Sequence, residues 1–168
     1  MKAEELRTLQ APLKSSYKED PQKAVITLNA EGRIGEGITC TVDTGKALVE
    51  AGLHPATGGD GMSACSGDML LEALVACAGV TLQSVATSIG VDLRDGRVIA
   101  EGDLDFKGTL AVSKEAPVGF RDIRLRFDLD TDADEEQLAT LIRLTERYCV
   151  VFQTIQNKPD LNVSYTVV

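Results

Sequence analysis

The sequence predicts an α+β domain of two layers. Three observations carry that expectation. Short β-type segments punctuated by glycine crowd residues 24–52. One long helix follows at residues 67–90 and is apolar almost all the way round. The remainder reads strand, helix, strand, an order unlike a regular βαβ array. A chain of 168 residues suffices for one domain with a full core, so residues 1–168 are read as one unit, with 1–21 as an N-terminal extension or short helix.

The elements follow in order. "AEELRTLQ" (3–10) predicts a short helix ended near Pro12. "AVITLNAEG" alternates Val25, Thr27 and Asn29 against Ile26 and Leu28. "GITCTVDTG" is rich in β-branched residues, "KALVEAG" is a weaker strand, and Gly35, Gly37 and Gly45 mark turns between them. These segments predict an antiparallel sheet. "PATGGDGMSACSG" (55–67) reads as a loop, with Ser66 the expected N-cap of the long helix. Asp68 then lies in the first turn, where an acid suits the helix dipole, and Gly90 sits where a C′ glycine belongs. Further strands are expected in 91–113. In "GFRDIRLRFDLDTD", Ile123, Leu125, Phe127 and Leu129 face one way and Arg124, Arg126, Asp128 and Asp130 the other, as in a half-buried strand. A helix capped by Asp132 or Asp134 carries the stripe Leu138, Leu141, Ile142 and Thr145, helical character restarts after Cys149, and "LNVSYTVV" predicts a closing strand. One sheet cannot cover a helix that is apolar on every side. A second copy of the chain is the simplest cover, so a homodimer is expected.

Composition narrows the function. The formal net charge of −9 disfavours nucleic acid and anionic membrane surfaces as partners, because phosphate binding needs clustered Lys and Arg. The N-terminus lacks the apolar stretch of a signal peptide. The apolar run 69–82, interrupted by Glu72, is short for a bilayer span. The expected location is the cytoplasm. The four cysteines, Cys40, Cys65, Cys77 and Cys149, form no CxxC pair, and His54 is the single histidine. A zinc site is therefore not expected, nor any other metal or cofactor, and a disulfide framework does not suit a reducing compartment. Inert or redox-reactive thiols remain. Cys77 reads either as a small core hydrophobe or as a thiol that the helix is built to hold, and Cys149, at a helix boundary, has the same two readings. Cys65 reads as a bystander or a third redox thiol, Cys40 as a core residue, His54 as a loop residue.

"SGDMLLEALVACAGVTL" and "LTERYCVVFQTIQNKPDLNVSYTV" resemble, in this order, the two cysteine segments of the OsmC/Ohr family, the osmotically inducible and organic hydroperoxide resistance proteins. The order of elements across residues 22–168 is similar as well. The resemblance implies an OsmC-like fold with antiparallel sheets around two long central helices in an intertwined homodimer. It implies a thiol peroxidase acting on small organic hydroperoxides, and in some members hydrogen peroxide. In that reading Cys77 becomes a sulfenic acid, Cys149 condenses with it to a disulfide, and a dithiol reductant of the lipoyl-protein kind reopens the bond. A thiolate in an apolar pocket needs a cation to offset desolvation. "AEGRIGEG" resembles the family's arginine turn and nominates Arg33, with Asp68 at the position of the family's Glu. Glu72, one turn on, is a second candidate partner for the arginine. Ser66 and Gly67 stand where the family has a proline before the acid, and Val150 where it often has one after the second cysteine; these mark a divergent member. From a different class, the same fold could serve as a non-enzymatic stress protein binding a small ligand in an apolar interface pocket.

Overall fold

The structure, a computed structural model, describes residues 3–34, 40–42, 51–62 and 64–167. Its elements are α1 (Ala3–Glu19), β1 (Val25–Ile34), β2 (Cys40–Val42), β3 (Ala51–Gly52), β4 (Ala64–Cys65), α2 (Ser66–Ile89), β5 (Asp95–Asp105), α3 (Phe106–Thr109), β6 (Asp122–Asp130), α4 (Glu135–Tyr148) and α5 (Val150–Gln156). Four strands form an antiparallel sheet in the order β2-β1-β5-β6. The α+β expectation holds.

Period-two patterning sets the sheet's inner face. Val98, Ala100 and Leu104 of β5 are buried, and Ile123, Leu125, Phe127 and Leu129 of β6 are half-buried on the side that meets the helices. Register pairs Ala100 with Leu125 and Val98 with Phe127. At Gly102 a Cβ would sit 2.4 Å from Cε1 of Phe120, so only glycine lets that ring close over the strand.

The helix α2 lies on this sheet. Leu71, Leu74, Val75, Ala78, Leu82, Val85 and Ala86 recur at helical spacing and are buried. Gly90 ends the helix in the left-handed conformation, φ 73°, its amide bonded to Ala86 O. The cap at the other end is Cys65 and not Ser66, which is the first helical residue. The cause is local pairing: Ala64 and Cys65 run parallel to Ala51 and Gly52, so Cys65 is the last extended residue. Of the weaker strand expected at 46–52, Ala51 and Gly52 form that parallel pair, and residues 46–50 lie outside the described residues.

The helix α4 covers the second half of α2. Its N-terminus is a capping box in which Asp134 accepts from Gln137 N (2.8 Å) and Gln137 Oε1 accepts from Asp134 N (3.0 Å). Leu141 is fully buried against Leu82, Val85, Ala86 and Val91.

Two expectations are corrected. α1 does not end at Pro12 but runs on to Glu19. Pro12 lacks one helical amide, and Leu13 and Tyr17 beyond it pack on the core, with the Tyr17 hydroxyl donating to Ala56 O at 2.6 Å. At the other end, residues 158–167 form no strand. Leu161, Val163, Tyr165 and Val167 alternate as expected yet are 85–98% exposed. A strand exists only with a hydrogen-bonded neighbour, and none pairs with this segment among the described residues. A second apolar surface is open on α2, where Met69, Leu70 and Val80 form a stripe 38–41% exposed.

Candidate functional site

Cys77 and Cys149 come together in the fold. Cys77 lies in the middle of α2, half-buried at the border between the covered stripe and the open one. Cys149 is the single residue between α4 and α5, and it is buried. Its backbone is extended (φ −72°, ψ 107°), its amide closes α4 on Thr145 O at 2.9 Å, and its sulfur accepts the Phe152 amide at 3.5 Å. This one-residue break turns the chain so that the first amides of α5 reach α2.

Four polar groups act on the Cys77 sulfur. Burial pushes this thiol up, while the Val151 amide, the Cys149 thiol, the Thr81 hydroxyl and the Val150 amide each pull it down. The net direction is below the ordinary thiol value. Cys149 goes the other way. Burial raises it, the Phe152 amide opposes, and the neighbouring Cys77 adds to the rise, leaving it at about 11. The pair is therefore polarised: Cys77 loses its proton first, and Cys149 keeps its proton and donates to the thiolate. Such an arrangement can attack an electrophile from Cys77 and hold a second thiol in contact with the product.

A groove of about 410 Å³ lies between α2 and α4, and its lining begins one helical turn after Cys77. Val80, Val85, Ile89 and Leu144 supply its apolar wall, and Thr81, Ser84 and Tyr148 line it with hydroxyls.

The other residues singled out in the sequence lie elsewhere. Asp68 sits in the first turn of α2, nine residues before Cys77. Helical geometry puts it about 13.5 Å along the axis and on the opposite side of the helix. Burial raises its carboxyl, and His54 opposes that rise. Glu72 is raised by burial and then by Asp68. His54 is in a loop, as read, and is held firmly there. Its ring stacks on Phe106 (centroids 5.0 Å apart, 20° between planes), and its Nδ1 accepts the Ala56 amide at 3.0 Å. Arg33 belongs to β1, paired with Thr41 on one side and Arg97 on the other, and not to the turn that its flanking glycines suggest. Its side chain, and that of Cys40, lie outside the described residues. Cys65 caps α2 three turns before Cys77 and packs on the core. Among the described residues no three His, Cys, Asp or Glu side chains are grouped to hold a metal ion.

Sequence reasoning missed the donors. Thr81 had a signal, since it lies four residues after Cys77 on the same helix face. The Val150 and Val151 amides had none, because backbone groups leave no mark in the sequence.

The profile of the family described as OsmC-like protein matches residues 58–164, which include both cysteines. No curated protein matches. Among solved structures, the fold is similar to an OsmC-like hydroperoxide resistance protein from Jannaschia sp. CCS1. The TM-score is 0.61 at 17% identity, over 86% of this chain and 95% of that one. It is also similar to an OsmC-like protein from Mycoplasma pneumoniae, with a TM-score of 0.56 at 15% identity, over 80% of this chain and 86% of that one.

Proposed function

Because the chain belongs to the OsmC-like protein family, we propose that it is a thiol-dependent peroxidase that reduces organic hydroperoxides. The observation that carries this reading is the polarised Cys77–Cys149 contact. The name of the Jannaschia relative, a hydroperoxide resistance protein, supports the substrate class.

The Cys77 thiolate attacks the terminal oxygen of R–O–OH. The S–O bond forms, the O–O bond breaks, and the alkoxide leaves and takes up a proton to give an alcohol. Cys77 is then a sulfenic acid. Cys149 attacks its sulfur. The S–S bond forms, the S–O bond breaks, and hydroxide leaves with the Cys149 proton as water. A dithiol, of which a lipoyl protein is one kind, returns the pair to thiols and is itself oxidised to a disulfide. The groove along α2 takes the organic group. Arg33 serves as a cation for the thiolate, and Asp68 acts on the site only through Arg33, given its distance from Cys77. A reducing compartment such as the cytoplasm suits this cycle.

The active unit in this reading is a homodimer. The open stripe on α2 and the unpaired alternating segment at the C-terminus are both surfaces that a second copy would cover.

Hydroperoxide consumption with excess dithiol, followed for the parent chain and Cys77→Ser, tests the activity. Turnover by the parent and none by the variant is expected. Groove binding of a hydroperoxide without loss of thiols would instead support the ligand-binding protein.

A further inference from the structure

Thr81 differs from four other hydroxyls of the helices. Thr87, Ser88, Thr145 and Thr154 each donate to the carbonyl oxygen four residues back, at 2.8 Å in every case. Those hydroxyls are occupied by their own helix. Thr81 lies one helical turn after Cys77 on the same face of α2, and its hydroxyl helps hold the Cys77 thiol down.

Thr81 also lines the groove. The lining residues on α2 run from Ile89 back through Ser84 to Thr81 and Val80, about 13.5 Å along the helix. Tyr148, the neighbour of Cys149, closes the same end. Thr81, one turn from Cys77, and Tyr148, next to Cys149, thus put this end of the groove beside the two cysteines. A molecule lying in the groove with one end at Cys77 passes the Thr81 hydroxyl.

We propose that Thr81 is a catalytic residue: its hydroxyl donates to the Cys77 sulfur in the resting site and turns to the oxygen that leaves when the O–O bond breaks. The second half rests on the peroxidase reading. The first half does not. Balance is simple. The alkoxide R–O⁻ accepts the hydrogen bond as it forms and takes a proton through the hydroxyl from solvent, so that Thr81 is unchanged at the end. A hydroxyl fits this task because it donates to the anion and accepts from water in turn. The ionisable groups at this point are Cys149, from the break before α5, and Tyr148, across the groove.

The test compares Thr81→Val with Thr81→Ser and with Thr87→Val, a control on the same helix. Valine keeps the β-branch, so helix propensity changes little. Iodoacetamide alkylation of Cys77 is followed against pH by peptide mass, and single-turnover reaction with an organic hydroperoxide is followed in parallel. Loss of a hydrogen bond to a charged group predicts alkylation about three- to tenfold slower near pH 6 in Thr81→Val, with the profile displaced to higher pH. The hydroperoxide step falls further, by about another tenfold or more, because a donor to the leaving oxygen is gone as well. Thr81→Ser restores both, and Thr87→Val changes neither. Superimposed alkylation profiles in Thr81→Val and parent overturn the sulfur contact. A hydroperoxide step that falls only as much as alkylation overturns the role at the leaving oxygen. A parent inert to hydroperoxide, with the alkylation shift intact, removes the peroxidase reading and leaves Thr81 as the donor to the thiolate.

Discussion

Val150→Pro isolates one backbone hydrogen bond at the reactive sulfur. Val150 is the first residue of α5, and its amide is one of the donors to Cys77. Proline is favoured at that helical position because its missing N–H belongs to the unpaired first turn. The residue before it must be extended, and Cys149 is, with φ −72° and ψ 107°. The substitution therefore deletes the donor and spares the fold. A proline that fits its backbone lowers unfolded-state entropy and stabilises by about 0.4–1 kcal/mol, so the melting temperature should hold or rise slightly. The Val150 amide acts most weakly of the four, so the lower end of the range for a bond to a charged group applies, about 1.5 kcal/mol. That corresponds to a displacement of roughly one pH unit upward. Below the thiol range the thiolate fraction then falls about tenfold. Thiolate nucleophilicity rises with basicity, with a slope of about 0.45, and returns about threefold of that. Alkylation of Cys77 is thus expected to be about threefold slower at pH 6 and about threefold faster above the titration range, so the two profiles cross. Iodoacetamide labelling read at the Cys77 peptide from pH 5 to 11 measures this. Superimposed profiles with an unchanged melting temperature would show that the Val150 amide does not act on the sulfur.

The remaining expectations concern the cation and the assembly. Arg33→Ala should slow Cys77 alkylation at pH 7, where the thiolate needs a compensating charge. Equal rates against pH for variant and parent would make Arg33 a residue of its strand only. The full chain should sediment as a dimer at micromolar concentration, and a chain ending at Asn157 should shift toward monomer, since it lacks the alternating segment. A dimer of unchanged strength after truncation would place the interface on the open stripe of α2 alone.

Much of the fold was legible because it is written in local periodicity. The alternation of Ile123, Leu125, Phe127 and Leu129 marks β6 on the sheet's inner face. Gly90 ends α2 and Asp134 begins α4 where cap chemistry requires, and the restart after Cys149 is a real second helix. What escaped depends on distant partners. Pro12 reads as a stop, yet packing of Leu13 and Tyr17 carries α1 past it. Ser66 is the better capping side chain, yet pairing with β3 leaves Cys65 in the cap. The segment "LNVSYTVV" reads as a strand and its alternation is sound, but no neighbour pairs with it within one chain. At the site, the two cysteines were legible as a pair only through the family resemblance. Thr81 was legible from its spacing to Cys77, and the two α5 amides were not legible at all.

In the proposed cycle Cys77 takes the oxygen and Cys149 resolves it. Intact mass after treatment with a single equivalent of an organic hydroperoxide reads both roles at once. The parent is expected to lose the mass of two hydrogens, as a Cys77–Cys149 disulfide, and Cys77→Ser is expected to show no change. In Cys149→Ser no partner is left for the sulfenic acid, so further peroxide should add two oxygens at Cys77 as sulfinic acid. A loss of two hydrogens that persists in Cys149→Ser would contradict the account and give the resolving role to Cys65 or Cys40.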